Sequence, residues 1–560
     1  MLHPPPCYHG AVRERFNAIL LAFSCIALAA SAQTATGPAA ELRRLADAGR
    51  LDDLRWPDFS DYRLHVRNFY DPAGYAPAWI RSSQATPQAR ALIAILQRAD
   101  EKGLSAADYD GPRWTERLAR LAAASDAERA RFDAALTVCI MRYVSDLRIG
   151  KVNPKHFRFG LDIEQKKYDL PDFLRQRLVN APDVNPALDG VEPPYPGYKR
   201  ALATLLKYQA LARQDDGQQL PIPAKAVDPG SAWPGVPRLA RLLRLVGDLP
   251  PDAPEPETYS GALVDAVKRY QLRHGLPNDG RLGAQTVKSL NVPLSFRIRQ
   301  LQLTLERWRW MPPGFPSPPI VINIPEFRLR AYNEEPGGPV ALESNVIVGR
   351  AYRSMTPVFV DLMKYVVLRP YWNVTPSIQR AEIVPAIQKD REYISKKGFE
   401  VTTPAGQVVT DATISDDVLA RLRAGSLAVR QKPGPSNSLG LVKLIFPNSY
   451  NVYLHSTPAQ SLFSQSRRDF SHGCIRVEKA AELTAWALRN NPGWDLDRVR
   501  QSMNIGKDNQ QVNLTKPIPI LILYGTAIVD DQGQAHFFED IYGLDAALEK
   551  VLAKGYPYPG

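Results

Sequence analysis

The spacing of apolar positions divides the chain into a helical first part and a strand-rich second part. From 41 to about 215, apolar residues recur at helical intervals. The clearest cases are Ala91-Leu92-Ile93-Ala94-Ile95-Leu96 and the stretch from Ala134 to Leu147, both predicted to be helices. Prolines and glycines interrupt the pattern between 181 and 197. Nine prolines fall between 218 and 257, a linker-like density, with one short helix predicted inside from Arg238 to Val246. A compact helical unit then runs to Pro293, and a further helix is predicted from Ser295 to Trp310. The run from Pro312 to Pro319 reads as a boundary.

Beyond it the pattern becomes short, β-branched and apolar. Ile320 to Ile324, Glu343 to Val348, Tyr365 to Leu368, Leu441 to Phe446, Val452 to Leu454 and Ile518 to Leu523 are predicted strands. Between them, 377–432 is charged and helix-like, as in Val418-Leu419-Ala420-Arg421-Leu422, and reads as a helical lid inserted over a β-rich core. Residues 529–560 are read as a C-terminal tail. The expectation is an α+β multidomain chain: a helical unit at 41–215, a small helical unit at 235–293, and a β-rich unit at 319–528. No solenoid-type repeat is present.

Composition narrows the class. The chain has 560 residues, enough for three or four domains, and 44% of them are apolar, which excludes a disordered chain. Only 4 residues are cysteine, which excludes a disulfide-stapled scaffold. The net charge of +12 suits an anionic partner or surface but does not bear on fold. The segment from Met1 to Ala32 reads as an address. Arg13 and Arg15 precede an apolar run from Phe16 to Ala30, and Ala30-Ser31-Ala32 has the small residues of a cleavage site. A secretory signal cleaved after Ala32 and a periplasmic location are expected; an uncleaved inner-membrane anchor is the alternative. Cleavage leaves two thiols. Cys139 lies in an apolar helical stretch and reads as a small core residue, whereas Cys474 lies among small and polar residues in Ser471-His472-Gly473-Cys474-Ile475-Arg476.

His455 precedes Cys474 in the chain and ends a predicted strand. A thiol attacks well only as thiolate, and a nearby imidazole can generate it. Gly473 allows a close backbone approach, so the amides of Gly473 and Cys474 are candidates to face an oxyanion. No Asp or Glu lies close to His455 in sequence, so a backbone carbonyl near Ser456 is the candidate orienter of the ring. A structural thiol beside an unrelated histidine remains open on these residues alone.

The string Ser-His-Gly-Cys-Ile-Arg, with His455 upstream of its Ser471, resembles the signature of the L,D-transpeptidases, whose catalytic domain is YkuD-like. The resemblance extends through Ile324-Pro325-Glu326-Phe327-Arg328-Leu329, Val348-Gly349-Arg350, Thr356-Pro357, Tyr371-Trp372-Asn373-Val374-Thr375-Pro376 and Lys432-Pro433-Gly434-Pro435 with Asn437-Ser438-Leu439-Gly440, which are similar to the large Gram-negative, YcbB-type branch. It implies Cys474 as nucleophile, His455 as general base and Arg476 as a substrate-facing residue. His472, Tyr453 and Trp372 are further candidates for substrate contact, each with a structural role as the alternative. Residues around Asp265 to Gln271, His274-Gly275-Leu276, Asp279-Gly280 and Leu290-Asn291 resemble a peptidoglycan-binding domain, and 41–215 loosely resembles the scaffold domain of the same branch.

The resemblance implies a crosslinking enzyme of the cell wall. A cysteine thioester forms on a tetrapeptide donor, D-alanine leaves, and diaminopimelate residues are joined. Peptidoglycan stem peptides and glycan strands are the implied partners, other cell-wall synthesis enzymes are allowed for, and carbapenem-type β-lactams are the implied inhibitors. An L,D-carboxypeptidase or hydrolase, and a non-catalytic wall-binding protein, are the alternatives. The eight histidines are scattered, so no metal is expected, and no cofactor is implied. Serine transpeptidase motifs are absent and papain-like enzymes place Cys before His. Nucleic-acid binding would rest on charge alone.

Overall fold

The computed structural model describes residues 37–254, 256–351 and 354–555; the expected signal segment lies outside the described residues. The first part is helical and is organised around one long helix, Asp126–Ile149. Its start is fixed by a capping box: the Glu128 N–H donates to Ser125 Oγ while the Ser125 N–H donates to the Glu128 carboxylate. The helix is buried nearly all round, which its unbroken apolar centre requires. Its buried Asp133 is satisfied by the N–H groups of Ala78 and Trp79 and by the Tyr70 hydroxyl. Cys139 is buried in the same core, and burial pushes its thiol up to about 12.

The helices Val236–Leu245, Ala262–Arg273 and Ala284–Leu290 form the small unit. Gln271 explains part of its motif. Its buried side chain donates to Asp279, to the Arg281 carbonyl and to Thr286, and accepts from the Gly280 N–H. The unit does not stand apart. Its core is continuous with the helix Pro196–Ala212, with the helix Leu294–Arg309 and with the far end of the chain.

The second part is a closed eight-stranded barrel. In chain order its strands are β1 (Ile320–Asn323), β2 (Arg328–Tyr332), β3 (Val340–Ile347), β4 (Phe359–Leu368), β5 (Val442–Ile445), β6 (Leu454–His455), β7 (Ile475–Val477) and β8 (Gln510–Leu523). Around the barrel the order is β5-β6-β7-β3-β2-β1-β8-β4. The β6–β7 and β8–β1 pairs are parallel, and the others are antiparallel. Alternation places Val442, Leu444, Leu454, Ile475 and Val477 in the core, and their sequence neighbours on the outer face. The chain leaving the long helix joins this core through Val152, Phe159, Leu161 and Ile163, and Gly160 bridges to Phe359.

Three readings of the sequence need correction. The insertion is not simply helical. It has its own four-stranded sheet, in the order Trp372–Asn373, Ala428–Gln431, Phe399–Thr402, Val408–Thr410, beside the helix Asp416–Ala424 and around its own apolar core. The short, charge-flanked strands hid its sheet character. Strand β2 was also missed, because Arg328 and Arg330 break its apolar run. The expected tail is, over 529–555, folded structure. Ala527–Val529 pairs with Ala535–Phe537, the helix Leu544–Leu552 follows, and Phe537 and Tyr542 enter two different cores.

Candidate active site

Strands β6 and β7 run side by side in parallel, with Leu454 opposite Ile475 and His455 opposite Arg476. Because Leu454 and Ile475 point into the barrel, Tyr453, His455, Cys474 and Arg476 share its outer face. Cys474 is half-buried and its thiol lies 3.7 Å from the Asn451 carbonyl oxygen. Burial raises its pKa, opposed by hydrogen bonds from the Tyr453 N–H and hydroxyl and by the Arg476 charge. His455 is buried. Burial, then the Arg476 charge, push its pKa down to about 4, so the ring is neutral at pH 7. Its Nδ1 lies 2.6 Å from the Ser456 carbonyl oxygen, so that nitrogen carries the proton and Nε2 is left as the basic atom.

Ser456 does more than present this carbonyl. Its buried Oγ accepts from the N–H groups of Leu441 and Val442, tying the His455 strand to the turn that ends the insertion. Gly440, at φ +63°, passes so close that any β-carbon would meet Ser456 Oγ at 2.2 Å.

Gly473 has a φ of +116°, which a side chain would strain. The expected role of its amide is corrected: the Gly473 N–H donates to Ser471 Oγ at 3.1 Å and is spent inside the turn. Ser471 Oγ in turn donates to the Cys474 carbonyl. The Cys474 N–H has no hydrogen-bond partner among the described residues. Burial, then repulsion from Arg350, lower the Arg476 pKa, and its Nε is buried without a partner.

The other candidates separate. His472 places Nε2 2.6 Å from Glu382 Oε1 of the insertion. Trp372 does not join the Cys474 cluster. Its ring packs at 5.9 Å on Phe399 in the insertion, because its strand pairs there with Gln431.

Two side chains support the turn, Thr356 from a motif of the resemblance and Tyr542, which the sequence reading did not single out. Thr356 Oγ1 donates to the Gly473 carbonyl at 2.8 Å and accepts from the Gly349 N–H at 2.9 Å. Tyr542, from the presumed tail, donates its hydroxyl to the Gly349 carbonyl at 2.5 Å and accepts from the Thr356 N–H at 3.2 Å. No local signal marks a tyrosine so far along the chain from the thiol as its support. Lys443, opposite His455 on β5, was also passed over.

Comparison with known proteins agrees with this placement. Residues 318–505 match the family described as L,D-transpeptidase catalytic domain. Residues 65–205 match the scaffold domain, and 234–290 match the family described as "Putative peptidoglycan binding domain". A protein of Haemophilus influenzae (strain ATCC 51907 / DSM 11121 / KW20 / Rd), named "Putative L,D-transpeptidase", is 31% identical over 293 residues, covering 51% of this chain and 58% of that protein. The chain thus spans less than two thirds of that relative. A crystal structure of the L,D-transpeptidase (residues 123-326) from Xylanimonas cellulosilytica DSM 15894 aligns at 16% identity over 54% of this chain and 100% of that one, with a TM-score of 0.16, too low to bear on the fold. The Cys474 turn falls inside the longest of the three matches, that to the L,D-transpeptidase catalytic domain, and the segments matching a scaffold domain and a peptidoglycan-binding domain precede it in the chain.

Proposed function

We propose that this protein is a peptidoglycan L,D-transpeptidase of the periplasm, delivered there by the segment from Met1 to Ala32, with Cys474 as nucleophile and His455 as base. The observation that carries the reading is the pairing of a half-buried thiol with a neutral, backbone-oriented imidazole on one barrel face. His455 Nε2 takes the thiol proton as sulfur attacks the carbonyl of the third residue of a donor tetrapeptide stem. The C–S bond forms, the oxyanion collapses, and the C–N bond breaks as the proton passes to the leaving D-alanine. The side-chain amine of diaminopimelate on a second stem then attacks the thioester, and the thiol is regenerated. The Cys474 N–H is the oxyanion donor in this scheme.

Starting from a neutral Cys–His pair has a consequence. The proton moves during attack rather than beforehand, so the resting thiol is a weaker nucleophile than a preformed thiolate would be. The insertion excludes water from the thioester, and the peptidoglycan-binding unit raises the effective concentration of the polymer.

The test is the mass of the intact protein after exposure to a tetrapeptide stem and to a carbapenem. An acyl adduct with each, absent in Cys474→Ala, is expected. An unmodified, folded wild-type protein would refute the reading. Tripeptide without any crosslinked dimer would make it a carboxypeptidase.

A further inference from the structure

Three adjacent strands build the outer face around the thiol. β7 contributes Arg476, with Cys474 just before it, β6 contributes His455, with Tyr453 just before it, and β5, on the opposite side of β6 from the thiol, contributes Lys443. The register sets Lys443 directly opposite His455. Its ammonium lies 6.0 Å from the centre of the Tyr453 ring, the same tyrosine whose hydroxyl bonds the thiol.

Lys443 is half-buried, yet it makes no ion pair and no side-chain hydrogen bond among the described residues. Burial lowers its pKa, and no acidic group offsets this. On its own face the neighbours from adjacent strands are His455, neutral at pH 7, and the apolar Val367. Partly desolvating an ammonium without a counter-charge is unfavourable. An arrangement of this kind is complementary to an anion that arrives from outside.

The order of the strands says which anion. In the proposed reaction, sulfur just before β7 attacks the carbonyl and His455 on β6 serves the leaving nitrogen. The leaving residue therefore extends away from β7, toward β5. Its carboxylate is separated from its nitrogen by a single α-carbon. Adjacent strands lie about 4.8 Å apart, a gap that the four-carbon stem of a lysine spans.

We propose that Lys443 binds the C-terminal carboxylate of the donor's leaving D-amino acid, and so requires that residue to be the last of the stem. This inference rests on the transpeptidase reading above. It divides the cations of the site: Lys443 serves the leaving side, and Arg476 stands on the acyl side.

The experiment compares kcat/KM for a tetrapeptide stem and for the same peptide ending in a carboxamide, using the full chain as wild type, Lys443→Met, Lys443→Gln and Lys443→Arg. Wild type should favour the free acid by about tenfold to a hundredfold, the range expected for a charge-assisted contact. Lys443→Met and Lys443→Gln should lose that factor on the acid and be nearly indifferent to amidation, whereas Lys443→Arg should keep most of the preference. Thermal midpoints near wild type for either neutral variant show that the fold persists. An acid-to-amide ratio that stays at the wild-type value in a folded neutral variant overturns the assignment, as does equal loss on both donors. Those results leave the transpeptidase reading standing. Failure of the wild-type protein to turn over either donor removes both.

Discussion

His472 Nε2 and Glu382 Oε1 stand 2.6 Å apart and join the turn that carries Cys474 to the insertion. Glu382 belongs to a π-helical stretch, Gln379–Ile383, and such irregular turns gather at functional sites. Both side chains are substantially exposed, and exposed pairs of this kind contribute about 0–1 kcal/mol. The contact therefore acts as a latch that opens readily.

Glu382→Ala should leave the thermal midpoint nearly unchanged and shift the partition of the thioester. Water competes with an acceptor amine that must be positioned, so loosening the latch favours water. The ratio of tripeptide to crosslinked dimer should rise severalfold at equal donor turnover. An unchanged ratio would leave the insertion with a docking or structural role instead of a shielding one.

The two thiols should differ sharply. Cys139 is 1% exposed, and its pKa is pushed up to about 12, so it stays inert in the folded protein. Alkylation at pH 8 should label Cys474 alone. Cys139→Ala should cost about 1 kcal/mol of stability and little activity, while Cys474→Ala should abolish crosslinking in a folded protein. Peptide mapping of the alkylated chain and a crosslinking assay of both variants decide the matter. Loss of turnover in the Cys139 variant alone would reverse the assignment.

His455 sets a pH window. Its folded pKa is about 4 and its ordinary value is 6.5, so the unfolded chain binds the proton first as pH falls. The stability tied to this neutral histidine is fully present above pH 6.5 and is lost as pH drops to about 4, with a limiting slope of about 1.4 kcal/mol per pH unit. The acidic limb of kcat/KM should likewise lie near pH 4. Urea titrations between pH 7 and 4, with His455→Gln as the control, should show the variant losing this part of the slope. An acidic limb at pH 6.5 would mean that the ring is solvated in the working enzyme.

Tyr542→Phe removes the hydroxyl that bonds both the Gly349 carbonyl and the Thr356 N–H. Two buried backbone groups lose their partner, at about 1–3 kcal/mol each. The segment beside Gly473 should loosen, lowering kcat more than it raises KM. A variant with wild-type kinetics would show that the Gly473 turn holds its shape unaided.

Some of this was readable along the chain. Apolar spacing located the long buried helix and most barrel strands, because burial on one face repeats at a period that neighbouring residues reveal. The Ser471-to-Arg476 string pointed to the thiol through its resemblance to the L,D-transpeptidase signature, and the structure adds that Gly473 takes a positive φ and that Cys474 lies just before a strand. The small unit at 235–293 reads as separate along the sequence, yet Arg273 donates to the Ala535 carbonyl and His274 stacks near Phe537 at 5.7 Å, so the unit and the last part of the described chain share a core.

What only the tertiary structure decided are the relations between distant residues. The Gly473 amide seemed free until Ser471 Oγ was seen to occupy it. Trp372 could be read either as a substrate platform or as a structural residue until its strand was seen to pair within the insertion and its ring to pack against Phe399. Lys443 was one cation among many until strand register set it opposite His455. Local composition determines which residues turn, extend or bury themselves, since those choices depend on neighbours a few positions away. Strand register and the closure of the barrel depend on pairings made across long stretches of chain, and these decide which side chains meet.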